Sequence, residues 1–208
     1  MKISYAITVC NEFIEIQRLL GFLLNNKRQQ DEIVILFDTK NGTTEVEKIL
    51  DHYNSIYKYY TLHKATFNNH FADWKNKLTS LCTGDYIFQI DADEIISTYV
   101  LDNLPEILKH NDVDVLKVPR INTVKGLTQE HIDKWNWGVN DHGWVNFPDF
   151  QWRIYKNNKK IKWANRVHEV LEGYRTMSYL PTEEHWCLRH DKTIDKQEKQ
   201  NNYYDTFI

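Results

Sequence analysis

Tyr86-Ile87-Phe88-Gln89-Ile90 runs directly into Asp91-Ala92-Asp93-Glu94, and this junction decides how the rest of the chain is read. The apolar run follows Thr83-Gly84-Asp85, so it reads as a buried strand entered from a turn. Three carboxylates at its exit repel one another unless a positive group sits among them. On an extended backbone Asp91 and Asp93 point to the same side, roughly 6–7 Å apart. That spacing suits one hard divalent cation and leaves the second acid for a ligand hydroxyl. Open α/β sheets bind ligands at the carboxyl ends of their strands, where this cluster falls. The plainer alternative, a solvated acidic turn leading into a helix, is weakened by the neighbouring sequence.

Upstream, strand and helix patterns alternate. Ile3–Val9 reads as a buried strand followed by the polar turn Cys10-Asn11-Glu12, and Ile16, Leu19, Leu20, Leu23 and Leu24 then recur at helical spacing. Glu32–Phe37 is a second strand, ending in Asp38 and the loop Thr39-Lys40-Asn41-Gly42. A helix from about Thr44 to His52 leads to a third strand near Tyr57–Leu62. Phe71, Trp74, Leu78, Leu81 and Cys82 form one apolar helical stripe, with Asn68 or Asn69 placed to cap it. This order predicts an α/β fold in which a mostly parallel twisted sheet is flanked by helices.

Downstream the pattern is less regular. Pro105 fits the first turn of a short helix ending near Lys109, and Asp114–Val118 reads as another strand. From Arg120 to Phe150 no period persists, although the stretch holds Trp135, Trp137 and Trp144; long irregular segments inside a compact domain are usually functional. Gln151–Tyr155 and Glu183–Leu188 read as later strands, and Thr193–Tyr204 as a polar terminal helix. No repeat, linker or low-complexity tract interrupts the chain, so residues 1–208 are expected to form one domain.

Bulk properties narrow the classes. The net charge of −3 provides no electrostatic footprint for general nucleic-acid binding, and the basic run Lys156–Arg166 reads as a solvated turn. Cys10, Cys82 and Cys187 are odd in number and widely spaced, which argues against a disulfide framework and for a reducing compartment. The N-terminus reads as a strand rather than a signal peptide, and no run approaches the roughly 18 apolar residues of a membrane span. A cytoplasmic protein without a transmembrane segment is expected.

Ile7-Thr8-Val9-Cys10-Asn11-Glu12, then Ile33-Val34-Ile35-Leu36-Phe37-Asp38 with Asn41-Gly42-Thr43-Thr44, then Phe71-Ala72-Asp73-Trp74-Lys75-Asn76 before the Asp-x-Asp strand, stand in a telling order. In that order and spacing the chain resembles the family 2 glycosyltransferases of the GT-A fold, especially their lipopolysaccharide glucosyltransferase-like branch. The resemblance implies a nucleotide-sugar-binding half at about 1–110 and an acceptor and catalytic half at about 111–208. It implies a nucleotide-sugar donor, with a lean toward UDP, in the cleft above the strand ends. Thr8 and Glu12 would line the base and ribose side, and Asp38 would accept from the base. Asp91 would hold ribose or sugar hydroxyls, and Asp93 would bind Mn²⁺ or Mg²⁺ on the diphosphate. Arg-Asn is more usual where Lys75-Asn76 stands; Lys75 keeps the cation for phosphate but lacks the bidentate fork.

In the second half, Arg153-Ile154-Tyr155 and Val167-His168-Glu169 resemble the Arg-x-Tyr/Phe strand and late His-Glu of the same branch. An inverting transfer needs a base to take the acceptor proton, and Glu169 is the candidate. Asp141, Asp149 and Glu94 are its rivals; taken alone, a Glu in this run is a surface salt-bridge partner. His190 would join the metal and favour Mn²⁺, with His185 as the competitor. Lys192 and Lys196 could lie over the diphosphate. The tryptophans offer sugar-stacking faces or simply a packed loop. The acceptor is open: a glycan, a lipid-linked glycan, a protein side chain or a modified nucleobase. Two other readings stand beside this one. A metal-dependent nucleotide phosphohydrolase would use His168 as acid or base, and a non-catalytic nucleotide- or sugar-binding module would not need Glu169.

Overall fold

The computed structural model describes residues 1–57 and 59–205. The first half alternates as β1 (Ile3–Val9), α1 (Phe13–Asn26), β2 (Glu32–Asp38), α2 (Thr44–Tyr57), β3 (Thr61–Ala65), α3 (Phe71–Leu81) and β4 (Tyr86–Asp91). The second half adds α4 (Thr98–Asn111), β5 (Val115–Lys125), α5 (Gln129–Trp135) and β6 (Val145–Lys156). After these come β7 (Lys162–Ala164), β8 (Val170–Glu172), β9 (Met177–Tyr179), a 3-10 turn at Glu184–Trp186, β10 (Leu188–Thr193) and α6 (Ile194–Asp205). The main sheet runs β10-β5-β6-β4-β1-β2-β3, with β9 joined to β5. Only β6 is reversed among these strands, being antiparallel to both β4 and β5. The small β7–β8 hairpin stands apart as a second sheet.

The period of two in β1 divides the core. Ile3, Tyr5, Ile7 and Val9 pack with Ile16, Leu19, Leu20 and Leu23 of α1 and with Val100, Leu101, Leu104 and Leu108 of α4. Ala6 faces the other way, with Val34 and Leu36 of β2 and Ala72, Trp74 and Leu78 of α3. Each leucine or isoleucine so enclosed contributes about 1.5–3 kcal/mol relative to exposure. Helices on both faces of a mostly parallel sheet are the α/β architecture the sequence predicts. Among the described residues, no helix is long and apolar enough to cross a membrane.

Several expected elements move. Helix α2 continues to Tyr57 because Val46, Leu50 and Tyr53 extend the apolar stripe, and the Tyr60 hydroxyl then donates to the Leu50 carbonyl at 2.5 Å. The third strand therefore lies at Thr61–Ala65, later than expected; Lys58 of the expected span is outside the described residues. His70, not Asn68 or Asn69, caps α3: its Nδ1 accepts from Asp73 N at 3.2 Å. Asn68 Oδ1 is spent on His70 N, and Asn69 takes a left-handed turn conformation. Pro105 lies two turns into α4, which starts earlier on a Ser97 cap; its burial with Leu101, Leu104 and Leu108 offsets the missing hydrogen bond. Glu183–Leu188 is largely the 3-10 turn, and the strand begins at Leu188, where parallel pairing with β5 starts. Strands β5 and β6 occupy both ends of the stretch that shows no period.

Candidate active site

From β1 the chain builds β2 and β3 to one side and returns to place β4 on the other. The crevice at the carboxyl ends of β1 and β4 is the topological switch point of the sheet. Thr8 sits there in register with Asp91 on one side and Leu36 on the other. Because β6 is reversed, its early residues Asp149 to Arg153 arrive at this same end.

The Asp-x-Asp segment is not extended, which corrects the spacing argument. Strand β4 stops at Asp91, and Glu94 N donates back to the Asp91 carbonyl at 2.9 Å, closing a turn. Asp91 N in turn donates to Glu94 Oε2 at 3.1 Å. The turn brings Asp91 and Glu94 together on Arg153 Nη2 and sends Asp93 toward Lys196, so a cation offsets the repulsion in each place. Beyond it, Ile95 and Arg189 exchange two backbone hydrogen bonds of 2.8 and 2.9 Å, and this bridge sets His190 beside Asp93.

Glu94 goes inward. It is fully buried and takes Arg153 Nη2 at 2.6 Å and Arg120 Nη1 at 3.0 Å on one oxygen. Arg153 also grips Asp91 Oδ2 at 2.5 Å, and Arg120 grips Asp149 Oδ2 through two nitrogens at 2.8 and 3.0 Å. Burial alone would raise the Asp91 carboxyl, but Arg153 and Lys75 hold it below the ordinary carboxylate value. Asp149 is likewise lowered, against its burial, by Arg120 and Asn122. As rivals for the base, Glu94 and Asp149 are thus committed to arginines. Asp141 is exposed in the turn before β6.

Asp93 faces a second group. Its Oδ2 lies 3.2 Å from His190 Nε2 and 3.2 Å from Lys196 Nζ. Burial pushes the carboxyl up, yet His190, Lys196 and Lys192 together hold it well below the usual range. Lys192 is pushed down to about 8, chiefly by burial, with Arg120 and Lys196 adding to the effect against Asp93. Asp93 and His190 offer one carboxylate and one imidazole on a common point. Among the described residues, no group of three or more His, Cys, Asp and Glu forms a metal cage. One carboxylate and one imidazole would suit a Mg²⁺- or Mn²⁺-class cation. His185 lies elsewhere, edge-on to Tyr99 at 4.3 Å with its carbonyl accepting from Ser97 Oγ.

Lys75 and Glu169 are brought together, which neither sequence expectation foresaw. Their ion pair is 2.9 Å long with both side chains 13% exposed, and Lys75 Nζ stands 4.5 Å over the Trp163 ring. Asn76 holds the hairpin that carries Glu169: its Nδ2 donates to Trp163 O and its Oδ1 accepts from Trp163 N, both at 2.9 Å. Lys75 thus reaches a carboxylate, where the resemblance implied phosphate. Glu12 folds its carboxylate onto the backbone N–H groups of Cys10 and Asn11 at 2.8 and 3.0 Å, and burial, with Asp93 adding, raises its pKa. Asp38 is buried and accepts from Lys40 N, Phe67 N and Asn41 Nδ2, so it closes the loop after β2 with three of its hydrogen-bonding sites used. Trp135 and Trp137 pack as tilted rings 4.6 Å apart, and Trp144 meets Phe147 edge-on at 4.8 Å, in the excursion between β5 and β6.

Arg120, Asn122 and Arg153 are the residues to which sequence reasoning assigned no role. Their signal was polar side chains at alternating places, Arg120 and Asn122 in β5 and Asp149, Gln151 and Arg153 in β6.

A search of curated proteins finds no sequence match. Among solved structures, the fold is similar to S. aureus TarS residues 1–349, with a TM-score of 0.65, 15% identity, and coverage of 92% of this chain and 60% of that one. The same fragment crystallised with UDP gives a TM-score of 0.63, 16% identity, and coverage of 92% and 60%. Its complex with UDP-GlcNAc gives 0.64, 16%, and coverage of 92% and 59%. The chain therefore spans about 60% of the length of that fragment, and identity this low speaks for the GT-A fold alone. A family model described as glycosyl transferase family 2 matches residues 4–186, most of the chain and every strand of the crevice except β10, so this chain belongs to glycosyl transferase family 2.

Proposed function

We propose that this chain is an inverting, metal-dependent glycosyltransferase of the lipopolysaccharide glucosyltransferase-like branch, moving a hexose from a UDP-sugar to an acceptor hydroxyl in the cytoplasm. The observation that carries this reading is the convergence of three charge pairs on one crevice: Asp91 with Arg153, Asp93 with His190, and Glu169 with Lys75. Lys75 and Asp93 both act electrostatically on Asp91, so the three pairs share one field. Arg153-x-Tyr155 and His168-Glu169 support the branch, and three free cysteines support the compartment.

In this reading Asp91, oriented by Arg153, presents its second oxygen to a ribose or sugar hydroxyl. Thr8 and Glu12 border the nucleoside, and Asp38 shapes the loop beside it. Asp93 and His190 would hold Mn²⁺ or Mg²⁺, which when bound would supply positive charge against the leaving diphosphate. Lys192 and Lys196 add positive charge at the same place. Glu169 takes the acceptor proton while the acceptor oxygen attacks the anomeric carbon and the bond to the diphosphate breaks. Lys75 orients Glu169 through their 2.9 Å ion pair. Residues 1–110 supply the donor side, and residues 111–208 supply the base, Arg153 and His190.

The experiment is product analysis with a panel of UDP-sugars, a mixed acceptor library and Mn²⁺ or chelator. Transfer with inverted anomeric configuration by NMR is expected. Release of free phosphate without transfer would favour a phosphohydrolase, and binding without turnover a non-catalytic module.

A further inference from the structure

A closed path of contacts leaves the backbone of Lys75 and returns at its side chain. Thr79, one turn further along α3, donates its hydroxyl proton to the Lys75 carbonyl at 2.9 Å. Its oxygen lies 2.7 Å from the hydroxyl of Tyr155 on β6, and that hydroxyl lies 3.1 Å from Nε1 of Trp163 on β7. The face of the indole carries the Lys75 ammonium at 4.5 Å. Tyr155 and Trp163 are both buried, and their rings meet at right angles 5.8 Å apart.

Every hydrogen bond on this path has a fixed direction. An indole N–H only donates and a carbonyl only accepts. Thr79 has one proton, already directed to the Lys75 carbonyl, so toward Tyr155 it can only accept. Tyr155 therefore donates to Thr79 and accepts from Trp163. Gln89 Oε1, at 3.5 Å, is too distant to compete for the phenolic proton. Burial raises the Tyr155 phenol, which keeps that proton in place. Tyr155 thus holds the indole at its Nε1 edge, while Asn76 holds the backbone of the same residue through two hydrogen bonds of 2.9 Å. The ring cannot turn its face from Lys75 without breaking one of these ties, and Lys75 Nζ reaches Glu169 at 2.9 Å.

We propose that Tyr155 is a positioning residue: tied to Thr79 and Trp163, it sets the place of the Lys75 ammonium and, with it, the aim of the Glu169 carboxylate. The placement of Lys75 stands on these contacts alone; its use in sugar transfer rests on the reading of Glu169 as the base. A reacting group displaced by about 1 Å through a remote change can lose about 10²-fold in rate.

The test is Tyr155→Phe in the full chain, which removes one oxygen and keeps the ring. Protons on the carbon next to Lys75 Nζ lie over the indole face and are shielded by its ring current, so NMR of labelled lysine reads the contact directly. Tyr155→Phe is expected to lose most of this shielding while its backbone spectrum stays that of a folded protein. With the UDP-sugar and acceptor that the product panel selects, its single-turnover rate is expected to fall by up to about 10²-fold at unchanged UDP affinity. Thr79→Val removes the next link at nearly constant shape, and it carries the same comparison where Tyr155→Phe does not fold. Both substitutions cut one path, so the double variant is expected to be no slower than Tyr155→Phe. Full shielding of Lys75 in the folded variant, or additive losses in the double variant, overturns the proposal. Shielding lost with the rate unchanged, while Glu169→Gln is inactive, overturns it too. Shielding lost with the rate unchanged in both Tyr155→Phe and Glu169→Gln leaves the placement of Lys75 standing and overturns Glu169 as the base. A wild type without transfer overturns the glycosyltransferase reading, and the shielding alone then decides the placement.

Discussion

The two ends of the central sheet are built from the same strands and handle charge in opposite ways. At the amino end, Glu32 opens β2 and collects Lys2 Nζ and Ser4 Oγ at 2.6 Å, with Thr83 N at 2.6 Å and Thr83 Oγ1 at 2.7 Å. Asp31 accepts from Ile3 N at 2.9 Å and from two nitrogens of Arg28 at 2.8 Å. Gly84 N donates to Ser4 Oγ, and a Cβ at Gly84 would stand 2.6 Å from that oxygen, so the turn into β4 packs tightly on β1. Burial opposes ionisation of Glu32, but these donors outweigh it and hold the carboxyl down to about 2. At the carboxyl end the balance is different. Glu12 is pushed up by burial with Asp93 adding, and Lys192 is pushed down to about 8. One end shifts a single carboxyl downward with its own donors; the other sets a raised Glu12 and a lowered Lys192 beside the lowered Asp91, Asp93 and Asp149, and shifts in both directions within one crevice are frequent at functional sites.

The sharpest way to break this contrast is Glu169→Gln. The substitution keeps shape and removes basicity, so turnover should fall about 10²–10⁴-fold with donor binding retained. Steady-state kinetics beside a UDP titration checks it, and near-normal turnover with chemistry rate-limiting would remove Glu169 as the base. Arg153→Met probes the internal bracing of the same end. Buried Glu94 and half-buried Asp91 would lose their shared partner, so denaturant melts should show a loss of about 3–5 kcal/mol. Asp93→Asn and His190→Ala come next: Mn²⁺ affinity should fall, and excess Mn²⁺ should partly restore turnover in His190→Ala. Failure of rescue in His190→Ala, with UDP binding intact, would separate that histidine from the cation.

At the amino end the expected effect is smaller and purely structural. Glu32→Gln should cost about 1–2 kcal/mol, discounted because the side chain is partly exposed, and should leave turnover unchanged. The pH dependence has a definite sign. Glu32 has a depressed pKa in the folded state, so its contribution is complete above its ordinary value of 4.5 and is lost as pH falls from there toward about 2. Wild type and Glu32→Gln should therefore converge in stability on acidification across that window, read by thermal melts. A gap that persists at pH 2 would show that shape at this position, not charge, matters.

Legibility followed the range of the interactions. Strand β1, helix α1 and strand β4 could be read because their periodicity is local and their apolar faces pack on immediate chain neighbours. Asp91 and Asp93 stood out because three acids after an apolar run need an explanation. The turn at Asp91–Glu94 was hidden, since it depends on Glu94 finding Arg120 and Arg153, residues carried by strands far along the chain. Asn122 was invisible for the same reason: it meets His190 Nδ1 because β10 lies beside β5, a pairing that no local pattern announces. The Lys75–Glu169 contact joins a helix to a hairpin, and only the docking of Trp163 on Asn76 brings the two within reach.

Strand β6 enters the sheet at Val145, opposite Asn122 of β5, after residues 126–144 have wandered away and come back. Helix α5 within that excursion has no buried residue, and the segment is fastened near its return by the Val139–Val145 bridge. A span absent from the core, tied in its middle by the part-exposed His131–Glu198 contact to α6, can change length cheaply, since doubling a flexible loop costs only about 0.6 kcal/mol in closure entropy. In lineage terms the excursion is a cassette. In sequences descended from this one, length and composition should vary more in this overhang than in β5 and β6, which keep Arg120, Asn122 and Arg153 in register.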